Sequence, residues 1–491
     1  MTNKSDRDIN NTINWQQLAA RYQQKNKANR VKEKTKKYQA SRYGIPSFPK
    51  HLILRKYQDQ AVVNWFKNRG RGTLKMATGS GKTIIALAIA TELYQQIGLQ
   101  VLLVVCPYRH LVLQWARECR KFNLEPILAM TRADNWQSLL SSQLYNLRTN
   151  QHNFITIITT NSTLISESFQ SQLKFFPAKT LIVGDEAHNL GSTGFESRLP
   201  RNIGLRLALS ATPERHFDDE GTDALLKYFG SIIPPKFGLA DAITQGALVP
   251  YEYYPVFVHL TKSESSAYAR LTKKIGWLLN KNSNIKDNDT LTSLLTKRSR
   301  LIATAANKLD TLRNLMANRL HTSHTLFYCG DGAIETPDSN YCRQIEAVTQ
   351  ILGKELGYRV NTYTNETSLE IREQLRHQFE RGELQGLVAI RCLDEGIDIP
   401  AIKTAIILAS SSNPRQFIQR RGRILRPYPG KEKATLFDTI VIPPDLERET
   451  WSVEKNLLQK ELKRFITFAE LANNSQDAIA QLLTLQEKYQ L

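Results

Sequence analysis

The sequence predicts an α/β protein built from two tandem parallel-sheet domains. A helical connecting segment, a basic N-terminal arm and a C-terminal helical tail complete it. Three observations predict this. Short apolar runs alternate with helical patterns through residues 51–235 and again through 306–442, the alternation that builds parallel sheets covered by helices. A glycine-rich loop joins one such run to a strongly apolar helix near the start of the first block. A pair of carboxylates closes another run about a hundred residues later, where ligands of open α/β sheets bind.

The N-terminal arm, residues 1–50, carries 12 Lys/Arg against 3 acids, a surplus of nine within a total of +20. Trp15, Leu18, Ala19 and Tyr22 recur at helical spacing, and a Lys-rich polar run leads on to Gly44-Ile45-Pro46. A basic helix of this kind fits DNA or a partner protein. A solvated tail is the other reading.

Residues 51–235 form the first expected domain, with strands at Thr73–Lys75, Val101–Cys106, Phe154–Thr159, Leu181–Gly184 and Leu205–Leu209. Pro234, Pro235 and Gly238 mark a break. Residues 236–305 are expected to be a linker and helical segment: an extended stretch around Tyr251–Val258, then from Ser263 basic helices that either space the domains or line a nucleic-acid path. Residues 306–442 form the second domain, with strands at His324–Cys329, Tyr358–Thr362, Gly386–Ile390 and Thr404–Leu408. The tail, residues 443–491, places Leu457, Leu458, Leu462, Phe465 and Phe468 near helical spacing.

The loop Met76-Ala-Thr-Gly-Ser-Gly-Lys-Thr83 carries the first chemistry. Gly79 and Gly81 let backbone N–H groups wrap around phosphates, Lys82 can reach the β- and γ-phosphates, and the Thr83 hydroxyl can hold Mg²⁺. Met76 stands where the general pattern G-x-x-x-x-G-K-[ST] has glycine. Asp185-Glu-Ala-His188 follows the run Leu181–Gly184. Asp185 is placed to hold Mg²⁺, directly or through water, and Glu186 to orient and activate the attacking water. Gln416 to Arg426 places Arg420, Arg421, Arg423 and Arg426 within seven residues, with Arg423 and Arg426 on one helical face. An arginine finger for phosphoryl transfer, a solvated basic helix end and a DNA-phosphate contact all fit that pattern.

These pieces occur in a fixed order, and in it the chain resembles a superfamily 2 helicase or translocase of the DEAH type over most of residues 52–440. Leu54-Arg-Lys-Tyr-Gln58 resembles the adenine-reading segment, Ala77–Thr83 motif I, Cys106–Trp115 motif Ia and Ile158–Asn161 motif Ib. Asp185–His188 resembles motif II, Ser210–Pro213 motif III and Phe327–Gly330 motif IV. Cys392–Pro400 resembles motif V, and Gln419–Arg426 motif VI.

The resemblance implies RecA-like domains with ATP and Mg²⁺ bound between them. Arg55, Gln58, Thr78, Gly79, Ser80, Gly81, Lys82 and Thr83 are then nucleotide-binding. The Gln58 amide offers one donor and one acceptor to the adenine edge, the pairing glutamine makes with adenine in DNA. Gly396 and Asp398 touch nucleotide from the second domain, and Arg423 and Arg426 are the fingers. Ser210 and Thr212 couple hydrolysis to domain movement.

Motifs Ia and VI differ from the common RNA-helicase forms. They are similar to the branch of type I and III restriction motors, XPB-like and RadD-like proteins. The chain is also similar to stand-alone helicases encoded with bacterial defence systems, including phosphorothioation-dependent restriction. The expected partner is nucleic acid, duplex DNA before single strands, and the net charge of +20 agrees. An RNA helicase, and a nucleotide-gated scaffold that recruits a nuclease, are the competing readings. Pro444-Asp445 with Glu454 and Lys455 is only loosely nuclease-like, so any cleavage is expected from a partner protein.

No run of 18 apolar residues exists, so no transmembrane helix is expected, and the polar start of the chain lacks an apolar signal region. A cytosolic location is the expectation. The five cysteines contain no C-x-x-C pair and read as small buried thiols.

Overall fold

The computed structural model describes residues 10, 12–31, 44–130, 132–191, 193–214, 218–281, 289–335, 341–364, 366–390, 399–409, 422–442, 444 and 451–488. The chain divides into two compact units, Met1–Ala242 and Ile243–Leu491.

The first unit is a seven-stranded, all-parallel sheet. Its strands are β1 (Arg71–Met76), β2 (Val101–Cys106), β3 (Pro126–Ala129), β4 (Ile155–Thr160), β5 (Thr180–Asp185), β6 (Leu205–Ser210) and β7 (Ile232–Phe237), in spatial order β3-β4-β2-β5-β6-β1-β7. Helices cover both faces of a parallel sheet, so its central strands read as unbroken apolar runs. Every residue of β2, β4, β5 and β6 is buried.

Pro234 and Pro235, expected as a break, lie inside β7. Two imino acids are tolerated there because β7 is an edge strand whose register with β1 is interrupted between Leu74 and Met76.

The N-terminal arm begins with helix α1 (Trp15–Val31), which packs on helix α2 (Lys56–Lys67). Trp15 meets Trp65 edge-on at 6.2 Å between ring centroids, and Tyr22 meets Phe66 at 5.9 Å. The Tyr22 hydroxyl donates to Asp59, and Lys25 pairs with the buried Glu92 at 2.6 Å. Trp15, Leu18, Ala19 and Tyr22 are all buried. The apolar face that a partner would need is therefore spent inside the first unit. The Lys-rich run at 32–43 lies outside the described residues.

The second unit holds a six-stranded, all-parallel sheet. Its strands β8 (Tyr251–His259), β9 (Thr325–Cys329), β12 (Val360–Tyr363), β13 (Gly386–Ile390), β14 (Thr404–Ile407) and β15 (Ala434–Ile442) run in the order β12-β13-β9-β14-β15-β8. A separate antiparallel hairpin, β10 (Ala333–Glu335) with β11 (Tyr341–Arg343), follows β9.

The segment 236–305, expected as a linker and helical segment with an extended stretch around Tyr251–Val258, supplies β8 there. This strand pairs over nine residues with β15, which lies some 180 positions later. Two tail helices, Trp451–Ala469 and Ser475–Lys488, follow β15. The Asn474 amide bonds both the N–H and the C=O of Tyr253, and Tyr251 Oη donates to the Phe468 carbonyl at 2.6 Å. The tail thus blunts the open edge of β8.

Among the described residues, no helix is long and apolar enough to cross a membrane. Cys106, Cys119 and Cys329 are buried, and burial pushes their thiols up, Cys119 to about 12. These are packed thiols rather than nucleophiles.

Candidate active site

Sheet order places the candidate residues of the first unit. β6 lies between β5 and β1, and the registers align Asp185 with Leu209 and Lys75 with Ser210. Three strand ends therefore reach one level at the carboxyl edge of the sheet. With strands about 4.8 Å apart, the loop after β1 and the carboxylate ending β5 sit roughly 10 Å apart across the end of β6.

The loop after β1 turns through Gly79 and Gly81, at φ +84° and +82°. Helix α3 (Lys82–Ile97) starts at once, with Ile85 N–H donating to Gly81 C=O. The N–H groups of Lys82, Thr83 and Ile84 precede that first bond of the helical ladder, so the helix start offers donors to an anion. A side chain at 81 would collide with the Gln58 amide.

α2 buttresses this loop. Tyr57 Oη donates to Ser80 O at 2.7 Å, and Gln58 Nε2 donates to the same carbonyl at 3.1 Å. Gln58 Oε1 accepts the Arg55 N–H at 2.9 Å. From β7, Phe237 stacks on the Tyr57 ring at 3.9 Å, and its carbonyl accepts the Ala77 N–H at 2.7 Å. Gln58 thus holds the loop, and its amide has one N–H and one lone pair beyond these bonds. Lys82 Nζ donates to Met76 O and Ala77 O, at 3.1 and 3.3 Å.

Asp185 and Glu186 are both buried. Asp185 Oδ2 accepts the Trp115 indole N–H at 2.8 Å, and Oδ1 accepts the Glu186 N–H at 3.0 Å. Burial, then the Glu186 carboxylate, push the Asp185 pKa up; the Trp115 bond, Lys82 and the Glu186 N–H pull it back. Glu186 has φ +44°, a left-handed conformation that costs a non-glycine residue about 1–2 kcal/mol. The strain falls on the residue that the sequence expects to activate water.

A line of polar side chains runs from there to the end of β6, the Glu186–His188 step being a charge contact and the later steps hydrogen bonds. His188 Nδ1 lies 3.6 Å from Glu186 Oε2 and 3.1 Å from Ser210 Oγ, which also accepts the Thr212 N–H at 3.1 Å. Glu186, His188, Ser210 and Thr212 are thereby brought together.

The residues fit a nucleoside triphosphate with Mg²⁺. Thr78 Oγ1, Ser80 Oγ and Thr212 Oγ1 are buried with no hydrogen-bond partner, a costly arrangement that a polar ligand relieves. Thr83 opens α3 beside Lys82, and Asp185 ends β5, so a hydroxyl and a carboxylate of the kind Mg²⁺ prefers are both at hand.

In the second unit Arg423 is buried on the short turn 422–425, and Arg426, the next residue after that turn, is half-buried. Gly396 and Asp398, expected to touch nucleotide, and Arg420 and Arg421 lie outside the described residues, as does Asp445. Two contributors lie beyond what the sequence pattern shows, Trp115 as the partner of Asp185 and Tyr57 as the partner of the loop. Both sit inside motif segments, Leu54–Gln58 and Cys106–Trp115, yet nothing in the spacing says where their polar tips point.

Residues 51–215 match the family described as the type III restriction enzyme res subunit, and residues 307–428 match the helicase conserved C-terminal domain. The DNA 3'-5' translocase XPB2 of Sulfurisphaera tokodaii is 28% identical over 423 residues, 81% of this chain and 84% of that protein. The DNA 3'-5' helicase XPB of Mycobacterium tuberculosis is 25% identical over 402 residues, 81% of this chain but 62% of that protein. Among solved structures, the ATP-dependent type ISP restriction-modification enzyme LlaBIII bound to DNA matches with a TM-score of 0.56 at 19% identity. That match covers 87% of this chain and 31% of that one, and is a likeness of fold.

Proposed function

Because this chain belongs to the superfamily 2 helicases, in the branch of restriction subunits and XPB-like proteins, we propose that it is an ATP-driven motor on duplex DNA. The observation that carries the reading is the alignment of the Lys82 loop and the Asp185–Glu186 pair on either side of the end of β6.

In this reading Lys82 leaves the Met76 and Ala77 carbonyls for the phosphates, while Tyr57 and Gln58 keep the loop in shape. Gln58 turns its remaining N–H and lone pair to the adenine edge. Thr83 and Asp185 would hold Mg²⁺, which would supply positive charge to the terminal phosphates. Glu186 orients water and takes its proton, and Arg423 and Arg426 neutralise charge developing on the transferred phosphoryl group. His188 and Ser210 report the state of Glu186 to the segment after β6, which couples hydrolysis to movement. Nucleotide that prefers one conformer of the motor then shifts its population, and the cycle moves the protein along DNA. The names of the XPB relatives support 3'-to-5' motion. The match of residues 51–215 to a restriction subunit supports a place in DNA restriction or defence, where a partner protein would supply cleavage.

The test is the ATPase rate with duplex DNA, single-stranded DNA, duplex RNA and single-stranded RNA. Strong stimulation by duplex DNA is expected, and Lys82→Ala should abolish hydrolysis while leaving DNA binding largely intact. Stimulation by RNA alone, or full hydrolysis by the Lys82 variant, overturns the proposal.

A further inference from the structure

The arginine segment of the second unit ends abruptly. The turn 422–425 carries Arg423, and Pro427 follows Arg426 at once. Proline has no N–H, so the chain cannot continue a helix; the Arg423 carbonyl accepts the Arg426 N–H and the Leu425 carbonyl the Val249 N–H at 2.8 Å. The Ile424 and Arg426 carbonyls are met instead by one side chain. The chain reverses through Pro429 and Gly430, the latter at φ +72°, and returns Lys431 to the turn it has just left.

Lys431 is buried, and its ammonium donates to three backbone carbonyls: Ile424 O at 2.5 Å, Arg426 O at 2.9 Å and Pro400 O at 3.1 Å. Three N–H groups meet three acceptors, which is the full capacity of an ammonium. Two of these carbonyls belong to the arginine segment. The third, Pro400, closes the segment read as motif V, next to the buried Ile399, Ala401 and Ile402.

We propose that Lys431 is a positioning residue for phosphoryl transfer, an ammonium clamp that locks the Arg423–Arg426 turn to the end of motif V. This rests on the finger role of Arg423 and Arg426. Burial, followed by repulsion from Lys403, pushes the amine down to about 7. A lysine that only needed solubility would not bear that cost. A cation at the C-terminal end of a helical turn also complements the partial negative charge gathered there.

The experiment uses the full chain and DNA-stimulated ATPase kinetics of the wild type, Lys431→Met, Lys431→Gln, Arg423→Ala and Arg426→Ala. Binding of a fluorescent ATP analogue and a melting curve are recorded for each. Lys431→Met keeps the length of the side chain and removes all three donors. It should lower kcat by roughly tenfold or more while KM for ATP and analogue affinity stay within about twofold. Lys431→Gln keeps two N–H groups and should fall between. If Lys431→Met does not fold, the same split between kcat and KM in Lys431→Gln carries the test. Wild-type kcat per folded molecule in the lysine variants, beside inactive arginine variants, overturns the clamp. Full activity of both arginine variants overturns instead the finger role on which it rests.

Discussion

The indole N–H of Trp115 donates to Asp185 Oδ2 at 2.8 Å and ties two motifs that lie 70 residues apart. Trp115 belongs to helix α4 (Arg109–Lys121), which follows β2, and Asp185 ends the neighbouring strand β5. The α4 helix is amphipathic, with Leu111, Val112, Trp115, Ala116 and Cys119 buried. A tryptophan on that face fills the core and extends its one polar atom to the carboxylate beyond. Phenylalanine would fill most of that space and leave a buried carboxylate oxygen unsatisfied, at a cost of about 1–3 kcal/mol. Trp115→Phe should therefore lower stability by that order and raise the Mg²⁺ concentration needed for half-maximal ATPase. Unchanged Mg²⁺ dependence would mean that the bond plays no part in orienting Asp185.

Gln58 and Tyr57 share an acceptor, Ser80 O, but have different capacities. A phenol that bonds the loop can only shape it. The amide of Gln58 retains one donor and one acceptor for a base. Tyr57→Phe should reduce kcat alike with ATP and GTP. Gln58→Ala should in addition raise KM for ATP by roughly tenfold, the order of one or two lost hydrogen bonds, and leave KM for GTP little changed. Steady-state kinetics with both nucleotides checks this. Equal effects on the two KM values would restrict Gln58 to the loop.

The parts that were legible in the sequence share a physical character. Parallel strands buried on both faces give unbroken apolar runs, so Val101–Cys106 and Leu181–Gly184 were visible as strands. Loops that approach phosphates need glycine at fixed offsets, so Gly79 and Gly81 were visible too. What was not legible depends on pairing across long separations. β8 joins β15 only because the intervening chain closes the second sheet, and no local pattern encodes that partner. Pro234 and Pro235 look like a break until an edge strand with one neighbour is known to hold them. Lys431 looks like one more surface cation of a basic chain until three carbonyls are found around it.

The arm supplies another case. Its charge suggested a free basic element, whereas its aromatic residues make α1 part of the core of the first unit. Trp15 is 6% exposed and packs on Trp65. Trp15→Ala should destabilise the protein by about 3–5 kcal/mol, as removal of a buried aromatic does. Denaturant unfolding measures this directly. A change under about 0.5 kcal/mol, the range of ordinary surface substitutions, would show that α1 is not docked in solution.

The amine of Lys431 also gives the protein a pH signature. Its pKa falls from 10.5 to about 7 on folding, through burial first and Lys403 second. Between those two values the unfolded chain binds a proton that the folded chain releases. Stability therefore rises with pH across that window, and the penalty for burying the charge is felt in full below pH 7. The three carbonyl bonds act the other way, because they favour the ammonium. Lys431→Met has no proton to lose, so comparing the two proteins isolates this one group. The wild type should gain stability relative to Lys431→Met as the pH is raised from 7 to 9.5, measured by denaturant unfolding at several pH values. A constant difference would mean that the folded pKa stays near 10.5, with the carbonyls offsetting burial, and the ammonium would then hold the arginine turn throughout the neutral and mildly alkaline range.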